Sequence, residues 1–202
     1  MEPFQVETTV DAPAATVRRH FSEPALIRQW FGWDYPSLDD EIKMIFLDDV
    51  RTVAPDQIGL GEDHTITFTG VGPARTVVRI ETPGTPTDDL DMIEEGWRQF
   101  LEQLRFLLER DLAGRRTVYL DGRAAPATLA AALDAGSAWH TGRFQRITVD
   151  PDGHLVALVT QAPVDSTEPA DAMVTISTFG LDDAAFAEVE AAWTARWKAV
   201  LS

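Results

Sequence analysis

The sequence predicts an α+β protein in which antiparallel strands lie against a long helix, and in which this pattern occurs twice, the second time in shortened form. Near the N-terminus and in the middle of the chain, apolar residues alternate with polar ones, as in strands that bury one face. Two long segments, 87–112 and 181–201, instead repeat apolar residues at three- and four-residue spacing, as in amphipathic helices. Trp97 and Trp193 occupy corresponding places in these two helices, which indicates an internal repeat.

The first copy opens with a strand over 4–10, where apolar and polar residues alternate without interruption. Pro13 and Pro24 then favour helix starts, because proline suits the first turn of a helix. They predict two short helices, over 14–21 and 25–31.

The segment from residue 40 to residue 82 has an apolar period of two, which predicts antiparallel strands joined by short turns. The predicted strands are 42–46, 50–53, 64–69 and 75–82. The long helix follows, and Asp88 and Asp89 suit the positive end of its dipole. Phe106 lies on the opposite face from Trp97, so we expect the back of this helix to be covered, with the second copy as the nearest candidate.

The second copy has the same order of elements. These are a strand over 117–120, a helix over 125–133, strands over 144–149 and 155–161 around a tight turn at 150–153, a strand over 173–178 and the helix over 181–201. We therefore expect two domains, 1–113 and 114–202, with the shortened second half packed against the first. Pairing between edge strands of the two halves would satisfy backbone groups that an open edge leaves exposed.

Composition and charge exclude several classes of function. The 202 residues include 17 Lys and Arg and 33 Asp and Glu, for a net charge of −16, which argues against nucleic-acid and anionic-membrane partners. There is no cysteine, so disulfides, thiolate metal sites and thiol catalysis are excluded. We find no signal-peptide pattern and no run of about 20 apolar residues, and we expect a cytoplasmic protein.

Motifs at the two ends of the first copy resemble those of a known superfamily. Residues 6–13 read VETTVDAP, residues 17–21 read VRRHF, residues 24–31 read PALIRQWF and residues 95–108 read EGWRQFLEQLRFLL. This combination resembles the START-like (SRPBCC, Bet v 1-like) superfamily, in particular the activator of Hsp ATPase homologue-like branch, over residues 1 to about 112. The resemblance implies a helix-grip fold, in which a curved antiparallel sheet wraps the C-terminal helix. The strand region, 40–82, is short for the family. About 90 further residues follow the segment that the resemblance covers.

Few residues suggest catalysis. The four histidines, His20, His64, His140 and His154, are far apart and lack metal-ligand spacing. His64 begins a strand that could line a cavity, and as a general base it would need an acid such as Glu62 or Asp63. The alternative is an ordinary histidine at a strand end. We expect His20 and His154 at the surface.

The acidic runs 39–41 and 48–49 lack the glycine-punctuated spacing of calcium loops, and we interpret them as solvated loops. The sequence also lacks a phosphate-binding or nucleophile motif. We therefore predict no catalytic residue, no metal and no cofactor.

Aromatic residues are the best candidates for a binding site. The candidate residues, lining or bordering a cavity, are Trp30, Trp33, Tyr35, His64, Phe68, Trp97 and Phe100. In a helix-grip fold the space between sheet and helix is either filled by such side chains or left as an apolar cavity. Trp33 and Tyr35 fall where the resemblance places the cavity mouth.

The leading functional hypothesis is non-enzymatic binding of a small hydrophobic ligand, or of a protein partner, between the sheet and the long helix. An alternative is a cyclase/aromatase- or hydrolase-like enzyme of the same superfamily. A further alternative, suggested by the family name, is a chaperone-associated regulator. The protein would be a monomer or a homodimer.

Overall fold

The computed structural model describes residues 3–61, 64–84, 90–133 and 136–201. The chain divides into two compact units, Met1–Asp111 and Leu112–Ser202. Each unit contains a five-stranded antiparallel sheet, and each ends in a long helix. The predicted α+β class with a degenerate second copy is confirmed.

The N-terminal unit begins with a strand and three short helices. In chain order its elements are β1 (Gln5–Val10), α1 (Ala14–Arg19), α2 (Pro24–Ile27), α3 (Leu38–Lys43), a π-helical turn (Met44–Asp48), β2 (Val50–Ala54), β3 (Gln57–Leu60), β4 (His64–Gly70), β5 (Thr76–Glu81) and the long helix α4 (Met92–Glu109). The strand order in the sheet is β1-β5-β4-β3-β2.

The C-terminal unit has fewer helices and an equal number of strands. Its elements are β6 (Arg115–Ala124), α5 (Pro126–Leu133), β7 (Ser137–Thr141), β8 (Gln145–Val149), β9 (Leu155–Thr160), β10 (Ala170–Phe179) and the long helix α6 (Asp183–Leu201). The strand order is β6-β10-β9-β8-β7. In both sheets the first strand lies beside the last, and the other three follow in reverse chain order, so the two copies share one topology.

Helix α4 packs against β1 in the N-terminal unit. Residues of β1 alternate between exposed and buried, so that Val6 and Val10 lie in the core. Leu101 and Leu104 of α4 are also fully buried. Phe106, on the back of the helix, has no exposed surface, as the sequence predicted.

The core of the C-terminal unit has Trp193 and Trp197 of α6 packed with aliphatic residues of the sheet and α5. The indole Nε1 of Trp197 donates a hydrogen bond to the Asp121 carbonyl at 2.9 Å. This bond satisfies the polar end of the buried ring and fixes α6 to β6.

The predicted strand at 42–46 is wrong, because α3 and the π-helical turn occupy this segment. Leu38, Ile42 and Phe46 are all buried, and their four-residue spacing places them on one helical face. The acidic run 39–41 therefore lies in the first turn of a helix, where negative side chains are favourable, and the loop assigned to it is also wrong.

Other differences concern strand pairing and the start of α4. The strands β3 and β7 are absent from the sequence prediction. Each sheet takes its described strands from its own half. Helix α4 begins at Met92, where the Asp91 carboxylate accepts a hydrogen bond from the Ile93 amide at 2.8 Å. Asp88 and Asp89 lie outside the described residues.

Among the described residues, no helix combines the length and the apolar character that a membrane span needs.

Trp97→Ala should lower the free energy of unfolding by about 3–5 kcal/mol, because truncation of a buried indole leaves a cavity in the core. Trp97 is only 6% exposed. Urea denaturation followed by circular dichroism measures the change. The control is Ile93→Ala on the same helix, where the side chain is 45% exposed and the loss should be much smaller. Equal losses in the two variants would show that Trp97 is not a core residue.

Candidate functional site

Aromatic side chains from the segment after α2, the π-helical turn and α4 form one cluster in the N-terminal unit. The ring centroids of Phe31 lie 4.9 Å from Phe46, 4.8 Å from Phe100 and 6.0 Å from Trp97. Trp30 adds a contact of 5.9 Å to Phe46. Most of these pairs are tilted or edge-to-face, the arrangement that ring quadrupoles favour. The cluster fills much of the space beneath α4 with carbon.

Three of the predicted site residues lie deep in this cluster or the adjoining sheet. Trp30 has no exposed surface, and its indole Nε1 donates to the His20 carbonyl at 2.8 Å. Phe68 of β4 and Trp97 of α4 are 3% and 6% exposed. Their burial indicates that these three side chains pack in the core. Trp97 lies at the boundary of the aromatic cluster.

The other four predicted site residues are half-buried. Trp33 and Tyr35 follow α2 and lie with their ring centroids 5.6 Å apart. Phe100 lies beside Trp97, at 6.2 Å between centroids. His64 begins β4, so these residues are the parts of the predicted site that reach solvent.

The His64 ring lies between two aromatic rings. Its centroid is 5.6 Å from that of Phe4 and 5.9 Å from that of Trp97. The strand β4 sets this position, since His64 pairs with Leu60 of β3 at the end of the ladder. The arrangement places an imidazole at the border of the aromatic cluster. Glu62 and Asp63, the acids considered as its partners, lie outside the described residues.

A glutamine pair on α4, not identified from the sequence, holds the segment after α2. The Gln103 amide nitrogen donates to the Trp30 carbonyl at 2.7 Å, and the amide nitrogen of Gln99 lies 3.5 Å from the Gln103 oxygen. Both side chains are at least 96% buried, at 2% and 4% exposed. The segment that leads to Trp33 is thereby fixed to the long helix. In the sequence, the sign of this pair was two glutamines four positions apart, on a helix whose apolar residues recur at three- and four-residue spacing.

A buried carboxylate also lies on α4. Glu102 is 4% exposed, accepts a hydrogen bond from the Thr8 hydroxyl at 2.7 Å and pairs with Arg105 at 2.8 Å. Arg105 also lies 3.6 Å from Glu109, one turn further along the helix. Because a cation and a hydroxyl compensate its charge, Glu102 has the environment of a structural residue joining α4 to β1.

The expected surface positions of His20 and His154 are wrong, since each is only 9% exposed. The Nδ1 atom of His20 lies 2.9 Å from the Thr16 carbonyl, one turn earlier in the chain. Burial lowers the pKa of His20. Its backbone carbonyl accepts a hydrogen bond from the indole Nε1 of Trp30 at 2.8 Å.

His154 closes the hairpin between β8 and β9. Its Nδ1 atom lies 3.0 Å from the Asp150 carboxylate, which also accepts the backbone amides of Asp152 and His154. The hydrogen bond that His154 donates to the Asp150 carboxylate raises the pKa of His154. Burial alone would raise the pKa of Asp150, but the bonds from His154 outweigh it and the pKa is lowered. With Asp152, these residues offer three possible metal-ligand atoms within 4.8 Å of one another. Both Asp150 oxygens, however, already take part in hydrogen bonds within the turn.

The chain matches no family model and no curated protein. Three solved structures are similar to it at low identity. The protein DynU16, from the dynemicin biosynthetic locus, shares 18% identity, with 100% of this chain and 97% of that chain covered and a TM-score of 0.36. The di-domain ARO/CYC protein StfQ of the steffimycin pathway shares 15% identity over 90% and 86% of the two chains, with a TM-score of 0.38. The di-domain ARO/CYC protein BexL of the BE-7585A pathway shares 13% over 89% and 86%, with a TM-score of 0.36.

Fold and site together define an α+β helix-grip protein with a duplicated sheet and one aromatic cluster beside a histidine. The names of these structures do not confirm the activator of Hsp ATPase homologue-like branch. The leading hypothesis leaned toward a non-enzymatic protein, and this is corrected: two of the three similar structures are named ARO/CYC proteins of biosynthetic pathways. At these TM-scores the likeness is distant.

His154→Gln should destabilise the protein most at mildly acidic pH. A raised pKa in the folded state means that the imidazolium contributes stability below its unfolded value of about 6.5 and loses that contribution as pH rises through the folded value. The difference in melting temperature between wild type and variant should therefore be largest near about pH 5 and shrink toward about pH 8. Asp152→Asn, which leaves the pair of Asp150 and His154 intact, should retain most of the pH dependence. A difference independent of pH would contradict the ion pair.

Proposed function

We propose that the protein is a cyclase/aromatase-like enzyme, with its site in the N-terminal unit, within the expected domain 1–113. The substrate would be a small, largely apolar molecule carrying several carbonyl groups. His64 would act as the general base, and the half-buried aromatic residues near α4 and after α2 would hold the substrate. The activity is of the kind named for two of the similar structures.

The observation that carries this proposal is the position of His64. An imidazole half-buried against Trp97 and Phe4 combines a proton acceptor with flat apolar surfaces. Histidine is the side chain most often used for proton transfer near neutral pH. Aromatic rings favour a flat, conjugated ligand through stacking and edge contacts. Such a ligand is also the product of ring closure followed by aromatisation.

The proposed reaction is an intramolecular aldol condensation. His64 removes a proton from a methylene group between two carbonyls, and the resulting enolate carbon attacks a second carbonyl carbon of the same molecule. A carbon–carbon bond forms, the carbon–oxygen double bond becomes an alkoxide, and the alkoxide takes a proton from the imidazolium. Loss of water and enolisation then give the aromatic ring. The sequence of steps consumes no oxidant, reductant or cofactor.

The residues around His64 would bind and orient the substrate. Trp97 lies next to the histidine on α4, and Phe100 lies beside Trp97. Trp33 and Tyr35 lie on the segment that Gln103 fixes to that helix. The deeper rings, Trp30 among them, would support this surface from below. Holding the chain in a bent conformation brings the reacting carbons together, which reduces the entropic cost of ring closure.

His64→Gln should slow cyclisation strongly and leave binding intact. The probe is a synthetic linear 3,5,7-trioxo acyl thioester, and its conversion is followed by ultraviolet absorbance and by mass spectrometry for the loss of one water molecule. We expect the wild-type protein to accelerate ring closure over buffer, and the variant to reduce kcat about 100-fold or more, since general bases contribute about 10²–10⁴.

His140→Gln in β7 is the matched control, because it removes a histidine that the proposal does not use. It should leave kcat unchanged. Wild-type activity in His64→Gln would exclude this residue as the base, and no acceleration by the wild-type protein would reject the reaction for this probe class.

Trp33→Ala should weaken binding of 2-naphthol, a flat aromatic probe, about two- to tenfold, because one aromatic contact is lost. Isothermal titration calorimetry measures the Kd without depending on tryptophan fluorescence. Trp139→Ala in β7, where the ring is likewise half-buried, should leave the Kd unchanged. The same Kd in wild type and Trp33→Ala would remove Trp33 from the binding surface.

A further inference from the structure

The turn between β8 and β9 brings an imidazole and two carboxylates together. Asp150, Asp152 and His154 each offer one possible ligand atom, and these three atoms lie within 4.8 Å of one another. We propose that the turn binds a six-coordinate divalent transition-metal ion, such as Ni²⁺, through these three side chains. The sequence predicted no metal, because its acidic runs and its histidines each lack ligand spacing when they are taken separately. The inference does not depend on the proposed activity, since the turn belongs to the C-terminal unit and His64 to the N-terminal unit.

The backbone of the turn holds the Asp150 carboxylate in a fixed place. Its Oδ1 atom accepts the amide hydrogens of Asp152 at 3.0 Å and of His154 at 2.8 Å. The Asp150 amide donates to the His154 carbonyl at 3.0 Å, and Gly153 allows the tight turn with a φ of 88°. These backbone bonds use Oδ1 alone, so Oδ2 can bind a cation without breaking them.

The distance between Oδ2 of Asp150 and Nδ1 of His154 fits two adjacent ligands of one ion. These two atoms are 3.0 Å apart. Metal–ligand bonds of about 2.1 Å at an angle of about 90° place two donor atoms about 3.0 Å apart, whereas a tetrahedral angle places them about 3.4 Å apart. The pair therefore suits six-coordinate geometry. When the ion binds, the imidazole turns its lone pair toward it and the Nδ1 proton leaves to solvent.

The chemistry of the donors selects the class of metal. An imidazole nitrogen suits ions such as Ni²⁺, Cu²⁺ and Zn²⁺, whereas Ca²⁺ and Mg²⁺ prefer oxygen ligands alone. The two carboxylates balance the charge of a divalent ion. The net charge of −16 also raises the concentration of cations near the protein.

Burial fixes two of the three ligands and leaves the third free to move. The side chains of Asp150 and His154 are 8% and 11% exposed, so both are held by the surrounding fold. Asp152 is exposed, and its side chain can swing to meet the ion. Water would fill the remaining coordination positions from the open side of the turn.

Isothermal titration calorimetry of the untagged chain with NiCl₂, after removal of metals with EDTA, tests the site. We expect one Ni²⁺ per chain. Asp152→Asn removes one ligand charge and leaves the hydrogen bonds of Asp150 in place, so it should raise the Kd for Ni²⁺ at least about tenfold. His154→Gln should have an effect at least as large. Asp165→Asn is the matched control, because it removes the charge of another exposed aspartate of the same unit and should leave the Kd unchanged.

Proton NMR of the four histidine rings locates the bound ion. Ni²⁺ is paramagnetic and broadens the signals of the protons nearest to it. Below one equivalent of Ni²⁺, the ring signals of His154, identified by their absence in His154→Gln, should broaden before those of His20, His64 and His140.

Three results would overturn the proposal. These are an unchanged Kd in Asp152→Asn, earlier broadening at a histidine other than His154, and tighter binding of Ca²⁺ than of Ni²⁺. Circular dichroism must show that His154→Gln is folded. If this variant does not fold, Asp152→Asn still decides the outcome, because the Asp152 side chain is exposed.

Discussion

Burial of the apolar face of α4 is the constraint on which the N-terminal unit depends. This 18-residue helix presents Trp97, Leu101 and Leu104 along one side, and each of them is buried. Leaving such side chains in water would cost about 1.5–3 kcal/mol apiece. The alternation of β1 supplies the complementary face. The start of β4 is then held beside α4, and His64 comes to lie against Trp97 as a result of packing.

The polar groups buried with α4 are accommodated by specific partners. Gln103 bonds to the Trp30 carbonyl, and Glu102 bonds to Thr8 and pairs with Arg105. Each bond joins the helix to a different part of the unit, the first to the segment after α2 and the second to β1. A buried amide or carboxylate without its partner would cost the unit about 1–3 kcal/mol or more. These groups therefore fix the orientation of the helix more narrowly than apolar contacts alone would.

The sequence predicted the elements with a strong period and missed those defined by tertiary contacts. The two long helices, β1, β4, β5 and the turn at 150–153 were predicted because alternation, helical spacing and turn residues agree there. The segment 42–46 fits periods of two and of four equally, and the buried side of Ile42 and Phe46 becomes evident only when the surrounding core is present. Strand β3 is short and contains Gly59, and β7 is half-exposed, so neither shows a clear period. The burial of His20 and His154 depends on partners in the local fold. For the candidate site, the sequence supplied the residue types, whereas only the fold brings His64 beside Phe4 and Trp97.

The shared strand order of the two sheets has a consequence for how the protein can evolve. Each copy has its own sheet and its own closing helix, so a substitution inside one hydrophobic core need not disturb the other. The core of the first copy contains the aromatic cluster. The core of the second copy is mainly aliphatic apart from Trp193 and Trp197. The interior of one half can thus change by substitution while the other keeps its own packing.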